Sequence, residues 1–129
     1  MDSQPLIVLA EDNPVIRTLM ADVLTDEGYR VIPCASGAQA IDVLAMDDPD
    51  LIILDMHMEQ PDAGLQVLRS MRQGEGTKEL PAIVYSADNF ALRAHHWEFI
   101  RHNAVTIGKP FELGLLLDTV DDLIRAGPR

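Results

Sequence analysis

Basic residues are scarce in this chain. Lys and Arg number 10 against 21 Asp and Glu, for a net charge of −11. Free nucleic acid is bound largely through phosphate neutralisation by Lys and Arg, so no direct nucleic-acid partner is expected. Cysteine is nearly absent. Cys34 alone cannot close an intramolecular disulfide and fits a reducing compartment. No apolar run approaches the roughly 20 residues of a membrane span, which argues against membrane insertion. The start, Met1-Asp2-Ser3-Gln4-Pro5, lacks the basic opening of a secretory signal. The chain therefore reads as cytoplasmic. Aromatics make up only 5%, so Leu, Ile, Val, Ala and Met must build the core. The 129 residues read as one domain, 1–129.

What the chain does have is a set of short apolar runs that end on polar residues. Leu6-Ile7-Val8-Leu9-Ala10 leads into Glu11-Asp12, and Leu51-Ile52-Ile53-Leu54 into Asp55. Ala82-Ile83-Val84-Tyr85 leads into Ser86, and Ala104-Val105-Thr106-Ile107, after Gly108, into Lys109-Pro110. Runs of this kind read as buried strands of a parallel sheet. Ligands of an open parallel sheet bind outside the carboxyl ends of its strands. Three carboxylates, a hydroxyl and an ammonium are thus expected to converge.

Helical signals alternate with the strands. Asn13-Pro14 reads as an N-cap with proline at the first helical position, and Gly28 as the stop of that helix. A short strand is expected near Tyr29–Pro33. Ser36 with Gln39 fits a capping box. A third helix carries Leu65, Leu68 and Met71, and Gln73–Leu80 is a polar connection. A fourth helix is expected from about Asn89 to His102, with Asn103 in a left-handed conformation after it. A fifth begins after Pro110. Five βα units with short loops predict an α/β fold, a doubly wound five-stranded parallel sheet with helices on both faces.

Glu11, Asp12 and Asp55, if brought together at a switch point, repel one another, and a hard divalent cation resolves the conflict. Mg²⁺ takes oxygen ligands and keeps several waters. Lys109 and Ser86 would add an ammonium and a hydroxyl, completing a site for a tetrahedral anion and for phosphoryl transfer. Asp55 is the candidate nucleophile, since carboxylates form aspartyl-phosphates. Blander readings stand beside these: Lys109 as a solvated lysine, Ser86 as the N-cap of the fourth helix, His57 as an exposed loop residue.

These motifs resemble the response-regulator receiver domain of two-component signalling. The matching pieces are Ile7–Asn13, Asp50–Met56, Pro81–Ala87 and Lys109-Pro110-Phe111, in order and over nearly the whole chain. The resemblance implies a flavodoxin-like strand order of 2-1-3-4-5. It implies that Asp55 takes a phosphoryl group from a histidine kinase or histidine phosphotransfer protein. It further implies Mg²⁺ held by Asp12, Asp55 and the backbone carbonyl of His57, with Glu11 acting partly through water. Ser86 and Lys109 would hold the phosphoryl oxygens, and Lys109–Pro110 would be a cis peptide. His57 and Asp88 stand where side chains flank the attacking water in similar domains. No activity is expected beyond self-catalysed transfer to Asp55 and autodephosphorylation.

The chain departs from the pattern in two places, at Thr106 and in the loop after Asp55. Thr106 stands where many receivers carry an aromatic that follows the hydroxyl inward. Tyr85 is aromatic but is expected to point away from the pocket. After Met58, Glu59-Gln60 intervene before Pro61, which reads as a one-residue insertion suited to a particular kinase. The histidines at 95, 96 and 102 lack metal-ligand spacing. Trp97 reads either as an anchor on an output face or as a partly buried side chain. Output is expected from a stand-alone receiver, through an unknown downstream protein or a phosphorelay. Two alternatives remain: an unphosphorylated binding scaffold, and an aspartate-nucleophile phosphatase. Asp55-Met56-His57 lacks the Asp-x-Asp that the second needs.

Overall fold

A computed structural model describes residues 4–108, 110 and 112–127. The strands are β1 (Leu6–Ala10), β2 (Arg30–Cys34), β3 (Leu51–Asp55), β4 (Ala82–Ser86) and β5 (Ala104–Gly108). The helices are α1 (Pro14–Asp26), α2 (Gly37–Met46), α3 (Ala63–Gln73), α4 (Asn89–Ala94), α5 (His96–Arg101) and α6 (Leu113–Ala126). All strand pairs are parallel, in the order β2-β1-β3-β4-β5. The predicted fold class and strand order are those observed.

The period of two along each strand divides the core. Val8, Ala10, Ile52, Leu54, Ala82 and Val84 face Ala40 of α2, Leu65 and Leu68 of α3, Leu92 of α4 and Phe99 of α5. Ile7, Leu9, Ile53, Ile83 and Tyr85 face Met20 and Leu24 of α1 and Leu116, Val120 and Leu123 of α6. The central strands β1, β3 and β4 are buried along their whole length. Pro33 lacks an amide donor and sits in β2, at the sheet edge where that costs no ladder bond.

The caps follow the sequence closely. Asn13 Oδ1 accepts from the amides of Val15 (2.9 Å) and Ile16 (3.1 Å). Ser36 Oγ accepts the Gln39 amide at 3.1 Å, while Gln39 Oε1 accepts the Ala35 amide at 2.7 Å, one residue beyond the N-cap amide of a standard capping box. Asn103 has φ 54°.

The expected fourth helix is instead two short ones. His95 ends α4 and precedes α5, with φ −108° and ψ 18°. His95, His96 and Trp97 are successive middling helix formers. Beyond them α5 is held from outside, because Arg69 of α3 makes a two-pronged ion pair with Glu98. Arg72 Nε also donates to the His102 carbonyl at 2.7 Å. Among the described residues, no helix is long and apolar enough to cross a membrane.

Candidate functional site

The sheet register assembles the acids. Ala10 pairs with Leu54, so Glu11 and Asp55 leave neighbouring strands at the same level, and Asp55 pairs with Tyr85. One carboxylate oxygen from each of Glu11, Asp12 and Asp55 lies within 4.8 Å of the others. Among the described residues the buried polar or charged side chains are Glu11 (1% exposed), Asp55 (6%) and Ser86 (1%). Buried charge is costly unless it is partnered. Its concentration at one end of the sheet marks that end as the functional one.

Glu11 is held from two sides. Its Oε2 accepts the Asn13 amide at 3.0 Å, and its Oε1 accepts the Tyr85 hydroxyl at 2.6 Å. Burial raises the Glu11 carboxyl, but hydrogen bonds with Tyr85, then the Asn13 amide, Asp55 and Asp12 together outweigh it and leave the group below its ordinary range. Asp12 goes the other way, raised by partial burial and by the adjacent Glu11. Tyr85 is pushed far up by burial and by Glu11, so its hydroxyl stays a donor. The expectation that Tyr85 points away from the pocket was incorrect. Residues 9 and 11 of the β1 segment and 83 and 85 of β4 share one sheet face, and the ring spans β3 to reach Glu11. Arg17 reinforces the same corner, donating to the carbonyls of Glu11 (2.9 Å) and Asp12 (3.4 Å).

The opposite wall is polar and open. The His57 amide donates to Asp55 Oδ1 at 3.3 Å. The His57 ring is not a free loop side chain. Its Nδ1 contacts the Pro61 carbonyl, and its Nε2 lies 3.2 Å from Asp88 Oδ2. Ser86 does not cap α4. Asp88 does, accepting the Ala91 amide at 2.9 Å, while Ser86 Oγ accepts the Asp88 amide at 3.0 Å. The Ala91 amide, then His57, hold the Asp88 carboxyl below its usual range. Ser86 pairs with Gly108 at the end of β5. Lys109, its peptide bond to Pro110, and Phe111 lie outside the described residues.

The loop after Asp55 is fixed by two contacts. Gly64 brings α3 against β3, and a Cβ there would stand 2.5 Å from the Asp55 carbonyl oxygen and 3.0 Å from Met56 Cα. Glu59, in the loop after Asp55, caps a different helix: its carboxylate accepts the amides of Gly37 (2.8 Å) and Ala38 (3.0 Å) at the start of α2. A helix N-terminus favours such an anion. Burial works against the Glu59 charge, but the Ala38 and Gly37 amides outweigh it and lower the carboxyl. Glu59 thus ties the loop to α2. Sequence reasoning missed Glu59, the Tyr85 contact and Arg17. Thr106 is exposed on β5, opposite Val84. Trp97 is 76% exposed, which removes the partly buried reading.

The site is thus an acid triad at the carboxyl ends of the first and third strands of a doubly wound parallel sheet. The family model for the response regulator receiver domain matches residues 7–121. The chain belongs to that family, the receiver domains of two-component signalling. It is 34% identical over 122 residues to the sensory/regulatory protein RpfC of Xanthomonas campestris pv. campestris, covering 91% of this chain but 16% of RpfC. It is 28% identical over 116 residues to the polar-differentiation response regulator DivK of Brucella ovis, covering 88% of this chain and 91% of DivK. Among solved structures, the receiver domain of the Pseudomonas aeruginosa sensor histidine kinase PA1611, which has a magnesium ion coordinated in its active site cleft, superposes with TM-score 0.80 at 29% identity. That match covers 94% of this chain and 98% of the PA1611 domain.

Proposed function

We propose that Asp55 accepts a phosphoryl group from a protein phosphohistidine in a Mg²⁺-dependent reaction, and that the modified domain signals through a protein contact. The observation that carries this reading is the burial of Glu11 and Asp55 beside Asp12, with ligand oxygens within 4.8 Å of one another. An all-oxygen carboxylate set suits a hard cation. Asp12, Asp55 and the His57 carbonyl would hold Mg²⁺ directly, with Glu11 acting partly through water. Bound there, the ion would neutralise charge on the transferred group and on the acids. The magnesium-bearing PA1611 receiver supports the assignment by likeness.

The chain's own groups have separate tasks. Asp55 attacks phosphorus in line; the N–P bond breaks as an Asp55 O–P bond forms, and the electron pair returns to the imidazole nitrogen. Ser86, buried at the end of β4, donates a hydrogen bond from its hydroxyl to a phosphoryl oxygen. Lys109 supplies the balancing positive charge, as its place one residue after Gly108 in the sequence supports. His57 and Asp88 stand at the mouth and control water. The donor is a histidine kinase or histidine phosphotransfer protein. A groove of about 580 Å³ lined by Ile16, Leu19, Met20 and Leu113, between α1 and the start of α6, offers it an apolar shelf.

Output follows from what Ser86 holds at rest. Its oxygen accepts the Asp88 amide at the head of α4. A phosphoryl group on Asp55 accepts a hydrogen bond from that hydroxyl, and movement of the hydroxyl toward it pulls on the Asp88 amide, so the first turn of α4, with Phe90 75% exposed, responds. This route bypasses Thr106. The chain works as a single receiver domain in the cytoplasm, passing the signal to a protein target.

Incubation with acetyl phosphate and Mg²⁺ tests the reading. The wild type is expected to gain an acid-stable, hydroxylamine-sensitive phosphoryl label that Asp55→Asn lacks. A label retained by Asp55→Asn would remove Asp55 as acceptor. A wild type that binds neither Mg²⁺ nor beryllofluoride in calorimetry would favour a binding scaffold.

A further inference from the structure

We propose that Tyr85 is a positioning residue for the metal-binding acids, fixing the Glu11 carboxylate before a cation arrives. This rests on reading Glu11, Asp12 and Asp55 as the Mg²⁺ site. Tyr85 is fully buried, its ring packed in the core layer that also holds Ile7, Ile83, Ile107 and Leu116. Packing on that side limits the orientations open to the ring, although its other side borders the groove between α1 and the start of α6. Its hydroxyl donates to Glu11 Oε1 at 2.6 Å, while Glu11 Oε2 accepts the Asn13 amide at 3.0 Å. The two donors come from opposite sides. One belongs to the turn just after β1, the other to β4, which lies beyond β3 in the sheet.

The consequence is preorganisation. A glutamate has several rotatable bonds, and freezing them at the moment of binding weakens affinity. Here Glu11 is frozen in advance. The two donors also soften the repulsion among three neighbouring carboxylates, so the set can stand together before the cation enters. Groups that hold a metal's ligands in place are worth about 10- to 100-fold in affinity. A residue acting on a water-mediated ligand belongs at the low end of that range.

Tyr85→Phe keeps the ring and removes only the hydroxyl. We expect its Mg²⁺ dissociation constant, measured calorimetrically on the full chain, to rise about tenfold. Glu11→Gln provides the second background. If Tyr85 acts through Glu11, Tyr85→Phe adds no further loss to Glu11→Gln. Thermal melts of the metal-free proteins would show that each variant is folded. Should Tyr85→Phe prove unfolded, Tyr85→Leu, whose side chain carries no donor, must show the same weakening. A Tyr85→Phe constant within twofold of wild type would overturn the proposal, as would an equal loss in both backgrounds. A wild type without measurable Mg²⁺ binding would instead overturn the metal-site reading beneath it.

Discussion

The two walls of the pocket are built differently. The wall on β1, β3 and β4 is dry: Glu11, Asp55, Tyr85 and Ser86 are all buried, and Glu11 is gripped by donors from two sides. The wall formed by His57, Asp88 and the head of α4 is half-exposed and held by a few polar contacts. Chemistry that requires fixed charges sits on the rigid side. Movement is assigned to the side where little core is attached. The broken helix extends the contrast, since α5 is clamped to α3 through Arg69 and Arg72 while α4 has six residues and one buried side chain, Leu92.

The largest test of this contrast is at Gly64. A methyl group there meets backbone atoms of Asp55 and Met56, which cannot move aside. Gly64→Ala is expected to lower unfolding free energy by about 3 kcal/mol, the upper part of the usual overpacking range. Urea denaturation would check it, and a loss below about 1 kcal/mol would show that the rigid wall yields more easily than its packing implies.

Glu59 gives a smaller effect with a pH signature. Its folded pKa lies below the ordinary value because the Ala38 and Gly37 amides outweigh burial. A depressed carboxyl contributes stability above its unfolded pKa and loses it as pH falls through the folded pKa. Glu59→Ala should therefore lower stability at neutral pH by about 1 kcal/mol, the usual worth of a helix cap. The difference from wild type should shrink toward zero in acid. Thermal melts across that range read the result, and a difference independent of pH would mean the carboxylate charge is not what caps α2.

The smallest effect is on the soft wall. Asp88→Ala removes the cap of α4 and the partner of His57 while leaving the core intact. Amide exchange at Ala91 should quicken, with exchange in β3 and β4 unchanged. Slowed or unaltered exchange at Ala91 would break the comparison.

The architecture was legible because its determinants are local. Apolar runs of strand length, Asn13-Pro14, Ser36 with Gln39, and Asn103 each encode an element or its end within a few residues. The acid triad was legible too, since parallel strands place their carboxyl ends together. What remained hidden depends on residues distant in sequence. Tyr85 reaches Glu11 across 74 positions, and Glu59 finds the α2 amides 22 and 21 positions back. A strand's alternation gives the face of Tyr85 but not how far its hydroxyl extends. The division of the fourth helix at His95 was hidden for a related reason, because the clamp on α5 comes from α3.

The central claim is that Asp55 is the residue that takes the phosphoryl group. Borohydride reduces an aspartyl phosphate to homoserine, which marks its position permanently. After treatment with acetyl phosphate and Mg²⁺, reduction and peptide mass analysis, the account predicts homoserine at position 55 and at no other aspartate. Homoserine at Asp12 or elsewhere, or its absence from a protein that carries the label, would contradict it.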